Sequence, residues 1–258
     1  MLNQLEFFDA NCYVGRPTRA VHQPAATADE LLAALDRAGI RRALAWHVAQ
    51  RDAHPAEGNR LLDKTIGDDA ATRLRGCWTI LPPQTREVID DAHAFFDRMK
   101  QAGVAALRAF PEAHRYLLRR VVFRSFLDEL CERRVPLLLS LGGDNRGWPA
   151  VYSLLQEYPS LTLVLCDIGI WGADRYTWPL LENYPNVFVE SSLLALEDGG
   201  MEAMVARYGA GRILFGTGFP ERYPESAVLQ LLHADIPEAE RAGIASGNLE
   251  SLLSGAQL

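Results

Sequence analysis

The chain is short of most features that would assign it quickly. Its four cysteines, Cys12, Cys77, Cys131 and Cys166, form no close pair. That spacing suggests neither a zinc knuckle nor a disulfide framework. No apolar run reaches membrane-spanning length, and no basic segment followed by an apolar one opens the sequence. Lys and Arg gather into no long stripe and the net charge is -7, so a nucleic-acid partner is not expected. The densest basic stretch, "HRYLLRRVVFR" from His114 to Arg124, reads as a solvated loop or helix face. There is no G-x-G-x-x-G turn, internal repeat, low-complexity tract or convincing linker. The six histidines, His22, His47, His54, His93, His114 and His233, include no pair at metal-ligand spacing. A reducing, cytoplasmic setting is the expectation.

What is present is a regular alternation. The 258 residues are 48% hydrophobic, enough for one large core, and the chain reads as a single domain over 1–258. Eight short apolar runs read as strands: Leu5 to Tyr13, Arg42 to His47, Gly76 to Leu81, Val104 to Phe110, Pro136 to Leu141, Thr162 to Ile168, Val187 to Ser191 and Arg212 to Gly216. Helical patterns lie between them. "TADELLAALDRAGI" has Thr27 and Glu30 at capping-box spacing, Leu31, Leu35 and Ala38 on one face, and Gly39 where a helix would stop. "SFLDELCERRV", "WPAVYSLLQEYP" and "PESAVLQLLHA" supply further amphipathic helices. Strand and helix alternating through about 250 residues predict parallel strands with crossover helices, closed as an α/β (β/α)8 TIM barrel.

Such barrels carry their chemistry where strands end and the following loops begin. The candidate positions are Asn11 and Tyr13, Trp46 and His47, Trp78 and Thr79, Arg108, Ser140, Asp167, Glu190 and Ser191, and Thr217 and Gly218.

Seven stretches fall in one order along nearly the whole chain: "FFDANCYVG", "PAEGNRLL", "VPLLLSLGG", "EYPSLTLVLCDIG", "LLENYPNVFVESS", "RYGAGRILFGTGFP" and "GNLESLL". Together they resemble the amidohydrolase-related branch of the amidohydrolase superfamily, the metal-dependent hydrolase fold. "YPNVFVESS" followed by "GAGRILFGTGFP" is the most specific part. The resemblance implies a TIM barrel, a hydrolase, lactonase or decarboxylase acting on small carboxylated rings, and a homodimer. It also implies metal ligands, and here the sequence departs. The His-x-His of the first strand is Asn11 and Tyr13; the fifth-strand histidine is Ser140; the sixth-strand histidine is Asp167; the eighth-strand aspartate is Gly218.

These replacements are poor ligands. Zinc takes imidazole, thiolate or carboxylate donors at about 2.0–2.3 Å. Asparagine offers a neutral carbonyl, tyrosine a phenol that ionises near pH ~10, serine a weak hydroxyl and glycine nothing. No metal and no cofactor is therefore expected. The alternative is a divalent cation at a non-standard oxygen site made by Asp9, Asp167 and Glu190 with Asn11. Metal-free chemistry would use Asp167 as general base, Tyr13 as proton donor and Ser140 as an orienting hydroxyl. Arg108 would grip a substrate carboxylate, and Asp9, Asn11, Glu190, Trp46 and His47 complete the expected ligand-binding set. Trp78, Trp148 and Trp171 read as packing residues, or as walls for a planar ligand. Two functions follow. The reading these residues favour is an amidohydrolase-like scaffold, a pseudoenzyme, that binds a small aromatic or carboxylated molecule without metal-dependent hydrolysis. The alternative is an active hydrolase, lactonase or lyase on a small carboxylated substrate, by metal-free chemistry or at a rebuilt site.

Overall fold

The computed structural model describes residues 5–70, 72–141, 147–169, 174–194 and 199–258. Eight strands form one parallel sheet in chain order: β1 (Phe7–Val14), β2 (Ile40–His47), β3 (Leu74–Thr79), β4 (Val104–Ala109), β5 (Leu137–Ser140), β6 (Leu163–Cys166), β7 (Val187–Glu190) and β8 (Ile213–Leu214). Each of the eight apolar runs overlaps one strand, with β2 and β3 beginning two residues before their runs. Backbone bonds between β1 and the chain just past β8 join the sheet's two ends. The Ala10 N–H donates to Phe215 O (2.7 Å), Gly218 N–H to Asn11 O (2.8 Å) and Tyr13 N–H to Phe219 O (3.0 Å). The architecture is a (β/α)8 barrel.

The alternation of side chains along the strands divides the core in two. Phe8, Ala10, Leu44, Ala106, Leu138, Val164 and Leu214 fill the barrel, whereas Phe7, Ala43, Leu107, Leu139, Leu165 and Val189 pack outward against the helices. The helix Ala28–Ala38 begins as its sequence predicts. The Thr27 hydroxyl accepts the Glu30 N–H, the Glu30 carboxylate accepts the Ala26 N–H, and Gly39 ends the helix at φ 76°. "PAEGNRLL" turns out to open another helix, Pro55–Ala70. Gly58 in it lies so close to the backbone of Gln50 that any side chain would overlap it. Trp78 and Trp148 pack in the outer layer, Trp78 against Phe95 with its indole N–H on Asp63, and Trp148 stacked on Tyr176. Trp171 lies outside the described residues.

Candidate functional site

Two local departures from regular strand geometry aim side chains into the mouth. Strand β1 loses register with β2 between Asp9 and Cys12, so the inward positions change from Phe8 and Ala10 to Asn11 and Tyr13. After β6, Asp167 takes a left-handed backbone (φ 59°), a conformation aspartate tolerates better than most residues, and its carboxylate lines the pocket. Regular alternation brings Trp46, Arg108 and Ser140 to the same place. The pocket encloses about 400 Å³, within the range of small-molecule sites.

At its floor Arg108 is 1% exposed. Its Nη1 donates to Asn11 Oδ1 (3.0 Å), and its Nη2 to Ser140 Oγ (2.5 Å) and Asp167 Oδ2 (3.5 Å). Its guanidinium lies over the rings of Trp46 and Phe110, with centroids at 4.8 and 5.3 Å. A second guanidinium reaches Asp167 from the other side: Arg222 Nη1 donates to Asp167 Oδ1 at 2.9 Å and to Ser192 Oγ at 3.4 Å. Asn11 adds an amide N–H to the same carboxylate oxygen (3.2 Å). Although burial works against its charge, Asp167 is held below the usual carboxylate range by Arg108 and Arg222.

The upper wall carries a second network. The Tyr13 hydroxyl donates to Glu221 Oε1 (3.3 Å), which also accepts Arg51 Nη1 (2.9 Å). Arg51 lies over Tyr13 and Trp46. Burial, with the Glu221 charge nearby, pushes the Tyr13 phenol well above its ordinary range, so it is neutral. Exposed Arg19 and Glu112 complete the charged lining, which thus holds four arginines and three acids.

Of the residues expected at the site, Asn11, Tyr13, Trp46, Arg108, Ser140 and Asp167 line this pocket together. Asp9, Glu190 and His47 do not. Asp9 is fully buried, its Oδ2 accepting the Thr217 hydroxyl (2.5 Å) and its Oδ1 the Thr217 and Asn11 N–H groups (3.0 and 2.9 Å). Glu190 is fully buried too, accepting Asp167 N–H (2.7 Å) and both donors of Ser192. Gly216 lies against it, and a side chain there would overlap the Glu190 carboxylate. His47 uses Nδ1 to accept the Ala49 N–H (3.1 Å), and its ring packs beside Gly15. Arg222, Arg51, Glu221 and Arg19 were not expected. They sit on loops and a short helix, where no strand periodicity marks them. The one available signal was an arginine four residues after the altered glycine in "GFPER".

Residues 6–253 match the Amidohydrolase family model, and the chain belongs to that family. No curated protein matches the chain. Among solved structures it is similar to 2,6-dihydroxybenzoate decarboxylase from Rhizobium (15% identity, 96% of this chain and 98% of that one, TM-score 0.71). It is also similar to 5-carboxyvanillate decarboxylase from Sphingomonas paucimobilis (13%, 97% and 99%, 0.72). A third is a probable 2-pyrone-4,6-dicarboxylic acid hydrolase from Acinetobacter baumannii (14%, 96% and 99%, 0.70). At these identities the likeness is one of fold.

The residues present do not fit the metal that this fold family implies. Among the described residues no group of three or more His, Cys, Asp or Glu side chains is placed to hold an ion. The carboxylates of the alternative oxygen site are engaged elsewhere: Asp9 and Glu190 by buried hydrogen bonds, Asp167 by two guanidinium groups.

Proposed function

We propose that the protein takes a small carboxylated, ring-bearing molecule into this pocket and acts on it as a hydrolase or lyase that uses no metal. One observation carries the reading: Arg108 and Arg222 share a single carboxylate, which leaves a surplus positive charge in an open pocket walled by Tyr13, Trp46, Phe110 and Phe219. A ligand carboxylate would complete that charge balance with paired N–H donors, and the rings would flank its planar body. The names of the decarboxylases and the dicarboxylic acid hydrolase of similar fold support the same ligand class.

Asp167 would then act as base, Tyr13 as a neutral hydrogen-bond donor, and Ser140 as the group that orients Arg108. The scaffold-only reading draws support from the depressed pKa of Asp167, since a carboxylate clamped by two cations is a weak base. A ligand anion that draws Arg222 away would relieve that clamp, which is why the enzymatic reading is preferred.

The test is a panel of carboxylated rings and lactones on metal-stripped protein, with binding read by thermal shift and turnover by chromatography. At least one compound is expected to bind and turn over. Asp167→Asn should abolish turnover while binding persists. Turnover only after a divalent metal is added would overturn the metal-free claim, and a panel in which nothing binds would overturn the ligand class.

A further inference from the structure

The position of Arg222 explains more than ligand charge. Gly218 stands where the family resemblance puts an aspartate ligand, and its backbone is left-handed (φ 66°). A Cβ at this position would overlap Arg222 Nη1. An aspartate at 218 therefore requires the Arg222 guanidinium to leave the place it holds here. The turn that delivers the arginine starts at the same glycine, since the Arg222 N–H donates to Gly218 O (3.2 Å). The same Nη1 bonds Asp167, a second altered ligand position, and Arg108 bonds two more, Asn11 and Ser140. Four of the five altered positions are thus either in contact with Arg108 or Arg222 or cleared to admit Arg222. The fifth, Tyr13, bonds Glu221, the residue next to Arg222.

We infer that Arg222, admitted by Gly218 and backed by Arg108, is a resident organic cation that has taken over the ground of the metal site, with oxyanions as the ligands it positions. The exchange has chemical consequences. A guanidinium remains charged across the working pH range, cannot be removed by a chelator, and presents fixed N–H donors instead of an open coordination position. It orients an anion but supplies no metal hydroxide. This deepens the carboxylate reading, yet the test below needs no carboxylate.

The experiment removes the cation and returns it in solution. In full-length Arg222→Ala, millimolar guanidinium should raise the Tm saturably relative to equal sodium chloride, because it refills the space between Asp167 and Ser192. Methylammonium, with the charge but no planar fork, should not. Wild-type Tm should fall or stay flat under the same guanidinium. A second arm restores Asn11→His, Tyr13→His, Ser140→His, Asp167→His and Gly218→Asp together, with and without Arg222→Ala, and reads zinc uptake by mass spectrometry. Zinc is expected only when Arg222 is gone. An Arg222→Ala protein that ignores guanidinium overturns the inference, as does equal zinc uptake with Arg222 retained. If the multiple variants fail to fold, the guanidinium arm decides alone. Failure of every carboxylated compound to bind would sink the proposed function while leaving both arms readable.

Discussion

Asp9, inside β1, and Asp167, just past the end of β6, are both aspartates of one barrel, and they differ in what holds them. Asp9 is fully buried and bonded to two backbone N–H groups and a hydroxyl, which tie β1 to the chain beyond β8. Asp167 keeps 23% of its side chain exposed and is held by side chains: Arg108, Arg222 and Asn11. Backbone donors cannot leave without unfolding the seam, whereas a guanidinium can turn toward another anion by changing rotamer. Glu190 belongs with Asp9, since it accepts the backbone N–H groups of Asp167 and Ser192. The mouth therefore has a fixed carboxylate layer beneath an exchangeable one. Only the exchangeable layer can respond to a ligand.

The sharpest way to break this division is Asp9→Ala. The substitution strands the N–H groups of Asn11 and Thr217 in a buried seam, at about 1–3 kcal/mol for each unsatisfied buried donor. A loss of about 3–5 kcal/mol in urea unfolding is expected. Asp9→Asn keeps the shape and one acceptor and should lose less. Wild-type stability in Asp9→Ala would mean that the seam does not depend on this layer.

Glu190 gives the next largest effect, and it depends on pH. Burial, with the negative Asp167 adding to it, raises the Glu190 carboxyl from 4.5 to about 7. A raised carboxyl favours the protonated folded state, so its contribution is full below pH ~4.5 and is lost as pH rises to about 7. The loss is at most about 3 kcal/mol. Asp167 works the other way: its depressed carboxyl stabilises above the unfolded pKa, and that part is lost only in acid. Between pH 5 and 8 its contribution is therefore level. Urea unfolding across that window should show stability declining more steeply in wild type than in Glu190→Gln. The variant should be less stable at every pH, since the amide cannot accept all three donors, but its profile should be flatter. Parallel profiles would remove Glu190 from the account.

The barrel was legible because burial on both faces writes each strand as an apolar run, and amphipathic spacing marks the crossover helices. Most apolar runs extend past their strands, whereas β2 and β3 begin two residues before their runs. The run Arg212 to Gly216 yields only Ile213–Leu214, because the chain past it joins β1 through separate bonds and not through a regular ladder. Strand-end counting gathers Asn11, Tyr13, Trp46, Arg108, Ser140 and Asp167, which line one pocket, but it also gathers Glu190 and His47, and the expected ligand set adds Asp9. Facing is decided by the irregularity in β1 and the positive φ at Asp167, and neither leaves a clear trace in residue type. Arg222 escaped for a different reason. Its meaning depends on an overlap with Gly218, a spatial relation that a glycine in a motif announces only as an absence.

The smallest expected effect belongs to His47, which sits at a strand end like the pocket residues but faces away from the cavity. Burial lowers its pKa, so the ring is neutral near pH 7 and accepts the Ala49 N–H through Nδ1. An asparagine oxygen can stand near that nitrogen, so His47→Asn should cost under about 1 kcal/mol, one modest neutral hydrogen bond at most. Ligand affinity should change by less than about twofold, under half a kcal/mol. The informative comparison is with Arg222→Ala, a residue with 27% of its side chain exposed, whose loss should weaken oxyanion binding by tenfold or more, about 1.4 kcal/mol, while the barrel stays folded. If His47→Asn weakens that binding as much as Arg222→Ala does, the exchangeable layer extends past the pocket wall to β2. The division drawn between Asp9 and Asp167 would then be set by distance from the ligand and not by the kind of donor that holds each carboxylate.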